Sequence, residues 1–266
     1  MIEQFLEKAV QLNASDIFMI TGMPFSVKVN GLIQHLNEEK IFPETMEEYI
    51  KEIYELSGNR SMERVLTHGD DDFSFAIPGL SRFRISVLKQ RGSLGAVIRV
   101  VRFTLPNPSD LHIPDSVIEI ANMRKGFVLI TGAAGSGKST TLTYIIDRIN
   151  QTRNAHVITL EDPIEYLHRH NKSVVTQREI GQDTDSYVDG LCACLRQAPD
   201  VILLGEMRDY ETIRTAMTAA ETGHLVISTL HTTGASDTID RIIDVFPPNG
   251  QQQIRVQLAP LRECSA

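Results

Sequence analysis

The chain has no tryptophan, and aromatic residues make up only 6% of its 266 positions. Its three cysteines are too few and too badly spaced for a disulfide framework or a four-cysteine zinc site, since Cys192 and Cys194 are neighbours but one and Cys264 is remote. A reducing compartment suits such a set, and a cytoplasmic protein is expected. No apolar run approaches the roughly 18 residues of a membrane span, and Met1–Val10 carries Glu3, Glu7 and Lys8. No signal peptide or direct membrane insertion is therefore expected; any membrane role runs through partners. Basic residues are also in deficit, with 26 Lys and Arg against 34 Asp and Glu and a net charge of −8. That balance, without a basic, aromatic-rich strand, argues against a nucleic-acid partner. What remains is ordinary for a soluble folded protein: 42% hydrophobic and 23% charged residues, in a length that suits one large or two modest domains.

The first hundred or so residues read as a small α+β domain. Ile2, Phe5, Leu6, Ala9 and Val10 have helical spacing. Ile17–Ile20 and Phe25–Val29 read as strands, and Asn30-Gly31 is a tight-hairpin signal before Leu32-Ile33. Residues 44–57 look helical, and residues 70–101 read as an antiparallel meander with turns at Pro78-Gly79 and Arg91-Gly92. Pro106, Pro108 and Pro114 mark residues 102–116 as a linker, which bounds a first domain at 1–101 and a second at 117–266. In the second domain strands at 126–131, 155–160, 173–176, 201–205 and 224–229 alternate with helices, the pattern of a mainly parallel sheet covered by helices.

One motif dominates the second domain. Residues 132–139 read Gly-Ala-Ala-Gly-Ser-Gly-Lys-Ser, between the apolar run Phe127–Ile130 and the helix-compatible run Thr140–Ile146. This is a phosphate loop in the strand–loop–helix setting that the chemistry demands. The glycines let backbone amides turn inward around phosphates, and the following helix adds its positive end. The expected nucleotide-binding set is Gly132, Ala133, Ala134, Gly135, Ser136, Gly137, Lys138, Ser139 and Thr140. Lys138 is expected to reach the β- and γ-phosphates of ATP, and the Ser139 hydroxyl to ligate Mg²⁺.

Three further strands end in groups that suit phosphate chemistry. Val157–Leu160 runs into Glu161, Asp162 and Glu165, and an acid at the end of a parallel strand points toward the ligand crevice. Glu161 is the first choice for the base that orients or deprotonates water. Val201–Leu204 runs into Gly205 and Glu206, which is expected to hold Mg²⁺ through water or share the base role; Arg208 and Asp209 read equally well as surface ion pairs. The third strand, 224–229, has a histidine at each end. His231, with Thr229, lies at the exit end and is the better candidate for sensing the γ-phosphate, whereas His224 lies at the entry. In the first domain Arg82, Arg84, Arg91 and Arg99 recur. They read either as ordinary polar-face arginines or as arginine fingers acting across an interface, a device worth about 10³–10⁵ in rate.

Taken together, these segments resemble the type IV pilus retraction ATPases of the secretion ATPase superfamily. The resemblance is carried by Ala14-Ser15-Asp16, the phosphate loop, Glu161-Asp162-Pro163-Ile164-Glu165, Leu195–Asp200 leading into Gly205–Asp209, and Thr222 to Thr233 with Gly234–Thr238 after it. It implies a PAS-like α+β N-terminal domain followed by a RecA-like P-loop ATPase domain. It also implies a homo-hexameric ring, an inner-membrane pilus platform protein as partner, and arginines such as Arg84, Arg91 and Arg99 reaching the nucleotide. Members have Pro-Thr where this chain has Ala133-Ala134, positions that contribute backbone. They also continue into a helical C-terminal region that the residues after Leu258 do not supply. The function implied is an ATP-driven motor of pilus retraction. The alternatives are a pilus-assembly or type II secretion ATPase, or a shortened nucleotide-binding regulatory subunit of such a ring.

Overall fold

The structure, a computed structural model, describes residues 2–101, 113–133, 135–232 and 234–258. Most of the expected linker, Ala134 of the phosphate loop and the tail after Leu258 lie outside the described residues. The chain divides between Phe103 and Thr104 into two compact units.

The N-terminal unit runs α1 (Ile2–Gln11), β1 (Asp16–Ile20), β2 (Pro24–Val29), β3 (Leu32–Lys40), α2 (Pro43–Leu56), α3 (Glu63–His68), β4 (Asp70–Ile77), β5 (Ser81–Gln90) and β6 (Ser93–Val101). Its six strands form one antiparallel sheet in the order β3-β2-β1-β6-β5-β4. The β2–β3 turn is built as its sequence requires, with Asn30 at φ 50° and Gly31 at φ 83°. Alternation sets the core: Phe83, Ile85 and Val87 of β5 are buried together with Leu6 and Ala9 of α1 and Met46, Ile50 and Ile53 of α2. Two elements depart from the sequence reading. Strand β3 extends to Lys40 although only Leu36 of its nine residues is buried, so it shows no alternation to read. The short α3 buries only Val65 and has no helical stripe. The expected meander of β4, β5 and β6 is joined through β6 to β1, a pairing between distant segments that local pattern does not encode.

The second unit runs α4 (Asp115–Ile118), a 3₁₀ turn (Glu119–Asn122), β7 (Gly126–Thr131), α5 (Lys138–Thr152), β8 (His156–Glu161), β9 (Val174–Glu179), α6 (Tyr187–Cys194), β10 (Val201–Leu204), α7 (Tyr210–Glu221), β11 (Leu225–Leu230), α8 (Ala235–Val245) and α9 (Gln251–Leu258). Helix α4 thus begins inside the stretch read as a linker. The five strands are parallel, in the order β7-β11-β10-β8-β9. Every residue of β10 and β11 is buried, as expected of strands covered on both faces. Ile202 and Leu204 pack with Ile213, Met217, Ile242 and Ile243 of the helices on one face, and Val201 and Leu203 with Ile145, Ile146 and Ile149 of α5 on the other. Cys192 is exposed and Cys194 buried, both as free thiols. Among the described residues no helix is long and apolar enough to cross a membrane.

Candidate active site

The strand order places the chemistry. Strand β11 lies between β7, which enters the phosphate loop, and β10, which ends at Glu206; β8, which ends in Glu161, lies on the far side of β10. The C-terminal ends of these parallel strands open onto one edge, where open α/β sheets bind ligands. A cleft of about 300 Å³ lies there, with Lys138, Ser139, Glu161, Glu206, Thr229 and His231 in its wall.

The phosphate loop leaves β7 at Thr131 and enters α5 through Gly137, which caps the helix at φ 95° and ψ 10°, a conformation that suits glycine. Gly132 has φ 154°, a conformation that side chains rarely adopt, and a Cβ there would also lie 2.7 Å from the Ser136 Oγ, which would have to turn away. The buried Lys138 stem curls back over the loop, and its Nζ donates to the carbonyls of Gly132 at 2.9 Å and Ala133 at 2.8 Å. The ammonium therefore stands over the loop that its motif predicts will carry phosphates. The first turn of α5 adds the positive end of a 15-residue helix.

Glu161 and Glu206 face the cleft in different states. The Glu161 carboxyl accepts from the Thr159 hydroxyl at 2.6 Å and from Gln177 Nε2 at 3.3 Å. Burial pushes its pKa up to about 7, against the opposing pull of those hydrogen bonds and of one from the Glu165 backbone. It is thus poised near neutrality, where a general base works best. Glu206 is paired with Arg208 at 2.8 Å and lies 3.6 Å from His231 Nε2. Thr229 ties the two strand ends together, its hydroxyl donating to the Gly205 carbonyl at 2.7 Å. Space at Gly205 is tight, since a Cβ would lie 3.0 Å from the Tyr187 hydroxyl and 3.4 Å from the Leu160 carbonyl.

Other expected residues lie elsewhere. His224 is at the opposite end of β11, its Nδ1 2.8 Å from the Ala219 carbonyl. Asp209 is a helix cap: it accepts from the Thr212 N–H at 2.9 Å and the Thr212 hydroxyl at 2.7 Å, and so starts α7. Arg91 forms the β5–β6 turn at φ 51°. Arg84 and Arg99 are register partners on β5 and β6. With Asp16 and Asp72 they line a shallow depression of about 230 Å³ in the N-terminal unit, where Arg99 Nε lies 3.1 Å from Asp16 Oδ1.

The sequence reading missed Thr159, Gln177, His168 and Tyr187. Thr159 carried a readable signal, because two residues before Glu161 on a strand is the same face. His168, held neutral by burial that lowers its pKa to about 4, and Tyr187, whose hydroxyl burial pushes up, line the cleft without any local pattern to mark them.

Among the described residues no group of three His, Cys, Asp or Glu converges on a point. The Ser139 hydroxyl and the Glu206 carboxylate are hard oxygen donors at the phosphate end, the sparse set that suits Mg²⁺ completed by phosphates and water.

A phosphate loop on a parallel sheet, with acids and a histidine at neighbouring strand ends, defines a RecA-like P-loop nucleotide-hydrolase core. The type II/IV secretion system protein family matches residues 1–257. The type IV pilus retractation ATPase PilT of Pseudomonas aeruginosa is 40% identical over 97% of this chain and 74% of its own length. A twitching motility protein of Neisseria gonorrhoeae is 43% identical over 88% of this chain, which spans only 62% of it. Among solved structures, the pilus retraction motor PilT with bound ADP superposes with a TM-score of 0.87 at 46% identity, over 98% of this chain and 75% of that one. The chain belongs to the type II/IV secretion system protein family and groups there with its pilus retraction ATPases.

Proposed function

We propose that this chain is an Mg²⁺-dependent ATPase that drives type IV pilus retraction. The observation that carries the reading is the single cleft holding Lys138 and Ser139 from the phosphate loop beside Glu161, Glu206 and His231 from three other strand ends. In this reading the loop amides and Lys138 hold the β- and γ-phosphates, and Glu161 takes the proton of the attacking water. Bound Mg²⁺, held by Ser139 and through water by Glu206, would neutralise charge on the phosphate oxygens. His231, close to Glu206, is placed to register γ-phosphate occupancy. Arg84 and Arg99 are the arginines that a hexameric ring would bring to the nucleotide, and an inner-membrane platform protein is the partner that such a ring would turn.

Retraction is favoured over secretion because the matched relatives of the retraction type extend over nearly the whole chain, whereas the type II secretion protein E of Xanthomonas campestris matches over only 45% of it. In a purified chain, Lys138→Ala and Glu206→Gln are each expected to lower ATP turnover at least about tenfold. Turnover unchanged in both variants would refute the site. In a pilus-bearing host, deletion is expected to leave excess pili without twitching; loss of pili would indicate assembly instead.

A further inference from the structure

Gln177 lies outside the segments singled out in the sequence, yet its amide bonds to Glu161 and to the segment that follows it. Nε2 donates to Glu161 Oε1 at 3.3 Å and to the Tyr166 carbonyl at 2.8 Å, while Oε1 accepts from the His168 N–H at 2.7 Å. The partners fix which end of the amide is nitrogen, since the oxygen must meet the N–H and the nitrogen the two oxygens. Its strand β9 pairs in parallel with β8, and Gln177 is the register partner of Thr159. Thr159 donates to the same Glu161 oxygen at 2.6 Å, so donors from two adjacent strands converge on one carboxylate atom. The two remaining bonds of Gln177 anchor the segment after Glu161, which carries Asp162, Pro163 and Glu165 to the cleft wall.

We infer that Gln177 is a positioning residue, which fixes the Glu161 carboxylate and the segment from Asp162 to His168 in one orientation so that Glu161 meets the attacking water in a single geometry. This rests on Glu161 as the base of the proposed hydrolysis. The residue type is specific. A glutamate at this position would repel Glu161 and offer no donor to the Tyr166 carbonyl, and an aliphatic side chain would leave that carbonyl and the His168 N–H without partners. A misplaced base costs rate and not nucleotide affinity, because the phosphates are held from the other side of the cleft.

The test uses the full chain with Mg²⁺ and ATP. Gln177→Met keeps the length and removes all three bonds; Gln177→Glu keeps only the acceptor for His168. Each is expected to lower kcat by about ten- to a hundredfold with KM for ATP changed less than about twofold. In a Glu161→Gln background, Gln177→Met is expected to change kcat less than about twofold, because the group that it positions is gone. Urea unfolding identifies which variants are folded. Unchanged kcat in a folded variant, a rise in KM alone, or the same loss repeated in the Glu161→Gln background would overturn the inference. If the parent chain hydrolyses no ATP, the ATPase reading fails separately. Crystal structures of parent and Gln177→Met then decide the positional claim: a shifted Glu161 rotamer supports it, and an unmoved carboxylate overturns it.

Discussion

Along β5 in the N-terminal sheet, buried and half-buried residues alternate from Ser81 to Leu88, with Arg82, Arg84 and Ser86 on the side that the helices do not cover. In the C-terminal sheet β10 and β11 are buried at every position, and Glu206 and His231 appear only just past the strand ends. The first arrangement spreads charge over a surface where it is screened and pairs locally, as Arg99 does with Asp16. The second gathers Glu161, Glu206 and His231 in the wall of one cleft, where burial moves the Glu161 carboxyl to a pKa of about 7 while His231 stays exposed. The same residue types thus lie along one face of a sheet in the first unit and gather at strand ends beside the phosphate loop in the second. Asp71 is the exception in the N-terminal unit: it points to the buried side of β4, held by Arg60 through two bonds at 3.0 and 3.1 Å and by the Tyr54 hydroxyl at 3.0 Å.

The largest effect that would break this contrast comes from Glu161. Glu161→Gln is expected to lower turnover by about 10²–10⁴, and parent turnover to rise with pH through about 7 as the carboxyl loses its proton. A pH profile flat from 5 to 9 in the parent would contradict the assignment. Stability runs the other way. A carboxyl whose pKa is higher folded than unfolded binds its proton more tightly in the native state, so folding loses stability as pH rises from the ordinary carboxylate range through about 7. Glu161→Gln is accordingly expected to gain about 1–3 kcal/mol over the parent at pH 8.5 and nothing at pH 4, measured by urea unfolding.

Asp71→Ala comes next. Removing one partner from a buried, hydrogen-bonded ion pair is expected to cost about 2–4 kcal/mol, read as a lower urea midpoint. A loss below about 1 kcal/mol would place Asp71 with the screened surface charges. The smallest effect on stability belongs to Arg99→Ala, whose exposed pair with Asp16 is expected to contribute less than about 1 kcal/mol. The same variant sharpens the comparison in activity. A large fall in kcat with unchanged stability would give this surface arginine a role at the nucleotide, and unchanged kcat would leave it a local ion pair.

The phosphate loop, the acids past β8 and β10 and most strands were legible because each is written locally, in spacing and in runs of like residues. The order of the strands was not: that β11 separates β7 from β10 follows from long-range pairing, and only that order explains why His231 sits beside Glu206. Gln177 was invisible for the same reason, since its partners lie nine to sixteen residues away and become neighbours only through the parallel pairing of β8 and β9. Arg84 and Arg99 were legible as a pair of polar-face residues, and sequence alone left their surface and finger roles equally open. Asp209 was left open because an acid after a strand and an acid that caps the next helix look alike until the Thr212 amide is placed.

Calorimetric titration of a slowly hydrolysed ATP analogue, with Mg²⁺, into the parent chain and into Lys138→Ala asks most directly whether this cleft is a triphosphate site. One site per parent chain, and affinity weakened at least about tenfold in the variant, is the expected result. Equal binding by the two proteins, or none by a folded parent at millimolar analogue, would contradict it.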